Sequence, residues 1–171
     1  MKIYGPISIA SRKYAKGDYV PWYFIYPFFL IHMLIFGGFG FFMAYGPDRP
    51  PVLFLYAHGG IAILVYTLFY RNLFGRDEVK WMFINAALGL LGIYTQIDWL
   101  LSLFGRQIGD YPMYVHVIPV LYFVLYTFLI RHALLDITRS REHPERKKFV
   151  ENAYVVASVA IYLISYFLER R

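Results

Sequence analysis

The sequence predicts an all-α integral membrane protein, an up-down bundle of five transmembrane helices joined by short loops. Three observations lead there. The chain has 171 residues, of which 59% are hydrophobic, well above the share in a soluble domain. Its apolar residues are gathered into five long runs almost free of charge. Its basic residues fall in the connections between those runs and mostly on one side, the distribution that fixes orientation in a membrane.

The runs follow in order. No Asp, Glu, Lys or Arg occurs in the 29 residues from Tyr19 to Pro47, or in the 21 from Pro50 to Tyr70. Trp81 to Gly105 covers 25 residues with one charge, Asp98. Tyr111 to Ile130 gives 20 clean residues, and Asn152 to Leu168 gives 17, the shortest. A hydrocarbon core of roughly 30 Å needs about 20 helical residues. Helices are therefore expected at about 20–45, 51–70, 80–104, 112–132 and 149–168. They form a single transmembrane domain over 1–171, preceded within it by a polar, basic arm at 1–18. The first run is too long for a cleaved signal peptide and has no small-residue cleavage site, so it is expected to stay as the first helix.

Orientation follows from the cations. Lys2, Arg12, Lys13 and Lys16 lie in the arm, and Arg71, Arg76 and Lys80 between the second and third runs. Arg131, Arg139, Arg141, Arg146, Lys147 and Lys148 lie between the fourth and fifth. These 13 face only four on the other side: Arg49, Arg106, Arg170 and Arg171. The amino terminus is thus expected in the cytoplasm and the carboxyl terminus outside, in a bacterial inner membrane or its equivalent. The net charge of +6 belongs to these loops and implies no nucleic acid; the 131–148 connection suits anionic lipid instead. With no Cys, disulfides, Fe–S clusters and thiolate metal sites are excluded.

Small residues mark expected helix contacts. Asn85, Gly89, Gly92 and Gln96 share one stripe of the third helix. Gly37, Gly38 and Gly40, and Gly59 and Gly60, are placed for the same purpose on the first two. Tyr154, Ser158, Tyr162 and Ser165/Tyr166 form a polar stripe on the fifth.

The functional candidates are polar groups at membrane depth, where each needs a partner. At 1.5 Å per residue, His58 lies about 10 Å in from the outer side, His116 about 6 Å and Asp98 about 9 Å. Three helices thus bring these side chains to nearly one level, with Thr95 and Ser102 on the face of Asp98. His32 lies near the middle of the first helix. Two imidazoles on facing helices grip a haem iron from both sides, and glycines beside His58 suit a flat macrocycle. A His and a carboxylate at one membrane edge equally suit a quinol, and two His with one Asp suit a copper, zinc or iron ion. His132 is 16 residues from His116, roughly 160° around the helix, which disfavours two stacked haems. One haem b is expected at most, with His58 and His116 as ligands of the iron and His32 as the competing ligand.

In helix count and buried histidines the chain resembles five-helix cytochrome b anchors, and no signature motif takes the likeness further. The expected function is a small membrane subunit of a redox complex, holding haem b or meeting quinone, in contact with lipid and with other membrane subunits. The alternatives are a cofactor-free accessory or scaffolding subunit and a proton- or ion-coupled transporter. The last lacks the paired interrupted helices and internal repeat of many transporters.

Overall fold

The computed structural model describes residues 1–9, 11–88 and 90–169 and is mostly helical. Two short strands, β1 (Ile7–Ile9) and β2 (Arg12–Tyr14), come first. Six helical stretches follow: α1 (Trp22–Tyr45), α2 (Val52–Phe74), α3 (Arg76–Leu88), α4 (Leu90–Ser102), α5 (Val117–Ile137) and α6 (Pro144–Glu169). α3 and α4 flank Gly89, which lies outside the described residues, and together cover the third apolar run. Among the described residues, three helices are long and apolar enough to cross a membrane: Trp22–Tyr45, Val52–Phe74 and Met113–Ile137.

α5 is the hub. It packs against α1, α2, α3, α4 and α6. Its buried residues, from Ile118 and Tyr122 through Val124, Leu125, Phe128 and Leu129 to Leu135, cover more than half of its circumference, while Tyr126 and Ile137 are exposed. A helix apolar all round is the kind that can occupy such a central place. α1, α2 and α4 bury one face each, whereas no described residue of α6 is buried. α4, for example, turns Ile93, Ile97 and Leu101 inward, spaced four residues apart as a helical face requires. Gln96 is exposed, and a side chain on Gly92 would meet nothing within 4 Å. The inward face of α4 is therefore the β-branched and leucine stripe rather than the expected Gly92–Gln96 stripe.

Chain direction alternates between α1 and α5. Tyr26 near the start of α1 reaches Asp136 at the end of α5, and Tyr45 at the end of α1 reaches His116 just before α5. The bundle therefore has two distinct ends. One gathers the chain start, the α2–α3 link and the α5–α6 link, and is called the basic end below. The other gathers the α1–α2 link and the stretch between α4 and α5, and is called the far end.

The first 18 residues are not a free arm. β1 and β2 pair antiparallel, Ile7 opposite Tyr14 and Ile9 opposite Arg12. Ile3, Ile7 and Ile9 are buried while Lys2, Tyr4 and Ser8 are exposed. This is the period-2 alternation of a strand with one face on protein. The hairpin is fastened to the end of α2, where the amides of Tyr4 and Gly5 both donate to the Asn72 carbonyl at 2.8 Å. Asn72 Nδ2 donates back to the Pro6 carbonyl at 3.0 Å. Immediately beyond, Gly75 takes φ +96°, a left-handed value that lets α2 stop and α3 leave in a new direction.

Candidate functional site

At the far end His116 and His58 each meet a tyrosine from another helix. His116 is 3% exposed, its Nδ1 lies 2.8 Å from the Tyr45 hydroxyl, and Tyr94 stands edge-on to its ring. His58 is half-buried, and its Nε2 lies 3.0 Å from the Tyr122 hydroxyl. Between α1, α2 and α5 the glycines have been filled from α5. A Cβ on Gly59 would lie 2.5 Å from Ile118 Cδ1, and one on Gly40 2.7 Å from Tyr122 Cε2. The space beside Gly59 that suits a macrocycle in the sequence is thus held by side chains of α5. Gly37 also touches Tyr122, whereas Gly38 and Gly60 meet nothing within 4 Å.

The other expected members are dispersed. Asp98 Oδ1 accepts the Ile108 amide at 2.7 Å, fixing the turn that follows α4. Ser102 is exposed and donates to the Trp99 carbonyl at 2.7 Å. Thr95 is half-buried and has a partner of its own. His32 is exposed on α1, its ring against Phe28 and Phe36. Phe36 in turn stacks on His58, so the two histidines share a row of rings along the outside of the bundle. On α6, Tyr154 reaches the Thr127 carbonyl at 3.4 Å, while Ser158 is exposed and donates to its own helix. Gly89 lies outside the described residues, and so do the side chains of Asn85, Tyr162 and Ser165. Among the described residues no group of three His, Asp or Glu side chains is arranged to hold a metal ion.

The densest polar constellation lies at the opposite, basic end, around His132. Its ring is fully buried. It is stacked on Phe74 with centroids 4.1 Å apart and met edge-on by Phe128. Arg141 Nη2 donates to His132 Nδ1 at 3.1 Å. The other ring nitrogen, Nε2, lies 3.4 Å from Arg131 Nη1 and 3.5 Å from Glu78 Oε2, so a guanidinium, which can only donate, stands at each ring nitrogen. Arg141 also grips Asp136 with both arms of its fork, Nε to Oδ1 at 2.7 Å and Nη2 to Oδ2 at 2.9 Å. The Tyr26 hydroxyl donates to the same carboxylate. On the other side of the ring, Glu78 receives Arg131 at 3.0 Å and Lys147 at 2.8 Å, and Arg131 also pairs with Glu151.

Three cations, Arg131, Arg141 and Lys147, thus balance three carboxylates, Glu78, Asp136 and Glu151, around one imidazole. The set joins α1, α3, α5, α6 and the α5–α6 link. Burial alone disfavours a charge, and pairing with hydrogen bonds offsets that cost. Both effects are visible at two members. Burial opposes the Glu78 carboxylate, but hydrogen bonds from Lys147 and Arg131, with their charges, hold its carboxyl below the usual carboxylate range. Burial likewise opposes the Arg141 charge, and the hydrogen bond to Asp136, with nearby negative charge, raises its pKa above the ordinary arginine value.

The Glu78 shift gives a pH dependence with a definite sign. A carboxyl depressed in the folded state contributes stability that is fully present above its unfolded value near 4.5. That stability is lost as the pH falls through the folded value. Glu78→Gln is expected to melt lower than the parent at about pH 7, with the gap closing toward about pH 4. Melting curves that run parallel across this range would show that Glu78 does not contribute in this way.

The sequence held a signal for this cluster that position at the membrane edge obscured. Arg131, His132 and Asp136 continue the α5 helix beyond its last charge-free residue, at spacings that keep His132 and Asp136 on neighbouring turns. Comparison with family models, characterised proteins and solved structures gave no match for the chain.

Proposed function

We propose that the chain crosses a membrane five times, with its amino terminus on the cytoplasmic side. On this reading it acts as a cofactor-independent accessory subunit of a larger membrane complex, offering α6 to a neighbouring helix. The orientation rests on the 13 cations against four. The subunit reading is carried by α6. It packs on α4 and α5, yet Val155, Val156, Val159, Ile161, Leu163, Ile164 and Phe167 are all exposed. Ala153, Ala157 and Ala160 are exposed as well and share one stripe at helical spacing. In lipid, small residues on an outward face let a second backbone come close. The tyrosine-bound histidines suit this reading, as they hold helices together directly. The redox alternative, haem b or quinol at His58, His116 and Asp98, requires Ile118 and Tyr122 to leave the glycine-lined space.

A photo-crosslinking residue placed at Ala157 is expected to give a discrete protein adduct in native membranes. Adducts to lipid alone would overturn the accessory role. Absorption spectra of the purified protein, oxidised and reduced, are expected to be featureless in the visible range. A Soret band lost in both His58→Ala and His116→Ala would restore the haem reading in its place.

A further inference from the structure

The far end carries a cleft that none of the groups above uses. It measures about 250 Å³ and lies between the end of α1 and the end of α4, walled by Phe41, Phe42, Leu101 and Phe104, with Arg106 at its polar edge. Arg106 is held in place. Its Nη1 donates to the Tyr45 carbonyl and, at 2.7 Å, to the Tyr111 hydroxyl. The Tyr111 hydroxyl donates to the same carbonyl at 3.0 Å. The guanidinium of Arg49 lies 5.6 Å from the Tyr111 ring centroid, so two cations flank one ring.

Neither cation is neutralised. Among the described residues, no carboxylate lies within 4.0 Å of the guanidinium of Arg49 or Arg106. The acids closest to Arg106 in the chain are occupied elsewhere: Asp98 accepts the Ile108 amide and Asp110 the Gln107 amide. The placement is also uneven across the molecule. Among the described residues, Arg49 and Arg106 are the only Lys or Arg at the far end. Arg106 at the edge of an aromatic-walled cleft, with Arg49 against the adjoining Tyr111 ring, is complementary to a phosphate diester on a hydrocarbon chain. The cleft is smaller than the roughly 300–1,000 Å³ of a site that encloses a whole small molecule. It therefore suits a ligand whose remainder stays in the bilayer.

We propose that this cleft binds one anionic phospholipid, its phosphate on Arg106 and Arg49 and one acyl chain along Phe41, Phe42, Leu101 and Phe104. The proposal needs only that this end meets a bilayer, and it stands whether or not α6 has a partner. The test uses the full chain in nanodiscs of phosphatidylcholine with added phosphatidylglycerol, and counts by native mass spectrometry the lipids retained on release. One phosphatidylglycerol is expected to stay in preference to phosphatidylcholine, with inorganic phosphate failing to displace it. Arg49→Gln, on an exposed side chain, is expected to weaken retention on the order of tenfold. Phe104→Trp, which fills the cleft from an exposed position, is expected to abolish it. Lys13→Gln, on the hairpin at the basic end, should leave retention unchanged. Equal retention of the two lipids, displacement by inorganic phosphate, or unchanged retention in both Arg49→Gln and Phe104→Trp would overturn the proposal. An equal loss in Lys13→Gln would also overturn it, since general charge would then account for the effect.

Discussion

Arg141→Met is expected to destabilise the protein by about 3–5 kcal/mol, the usual consequence of leaving one member of a buried ion pair alone. Asp136 is 8% exposed at its side chain and Arg141 19%, so water cannot take over the pairing. The substitution also removes the donor to His132 Nδ1 and the cation lying 5.4 Å from the Phe74 ring centroid. In detergent the midpoint of thermal unfolding, followed by circular dichroism, should fall on the order of 10 °C. The partner change separates two explanations. If the loss comes from an unpaired Asp136, then Arg141→Met with Asp136→Leu should melt higher than Arg141→Met alone, because replacing a whole buried pair with apolar groups is often close to neutral. A single variant that melts like the parent, or a double variant no better than the single, would remove the pair from its proposed role.

Gly40→Leu, on α1 where it meets the first turns of the central helix α5, is expected to be nearly as damaging. The Tyr122 ring lies against both Gly37 and Gly40, and a Cβ at Gly40 would already stand 2.7 Å from Cε2. The ring cannot retreat without giving up its 3.0 Å contact with His58. Overpacking of this kind costs about 1–3 kcal/mol, and the lost hydrogen bond adds about 1 kcal/mol. Tyr122→Ala alone should also destabilise, by opening a cavity. Gly40→Leu combined with Tyr122→Ala should recover much of the loss, since the introduced leucine side chain then fills what the tyrosine ring vacated. Simple addition of the two losses in a double-mutant cycle would show that the side chains do not compete for this space.

These two predictions mark what could and could not be read from the residues. The helical class and the runs that become α1, α2 and α5 were legible, because about 20 apolar residues without charge have few other uses. The positions of His58 and His116 along the chain, near the starts of α2 and α5, follow from counting. Their facing does not, because spacing gives angles within a helix and says nothing of how the helix is rotated against its neighbours. In the fold, His58 turns to Tyr122 and His116 to Tyr45. The hairpin was missed for a different reason. Its alternation involves only Ile3, Ile7 and Ile9 among basic and polar residues, too short a pattern to outweigh Lys2, Arg12, Lys13 and Lys16. The His132 cluster was missed because a membrane-edge histidine beside Arg131 suggests exposure to headgroups. Its burial depends on α5 being the central helix, and five apolar runs of similar character do not reveal which one the others surround.

That central position also constrains the order of events during synthesis. α1 and α2 leave the ribosome well before α5, yet the grooves at Gly37, Gly40 and Gly59 wait for Tyr122 and Ile118. Tyr26 at the start of α1 waits for Asp136, a partner 110 residues later in the chain. Contacts of high sequence separation close late and pass through partly assembled states. α1 and α2 can meet each other early, but the contacts that lock them to the central helix close only once α5 has been made.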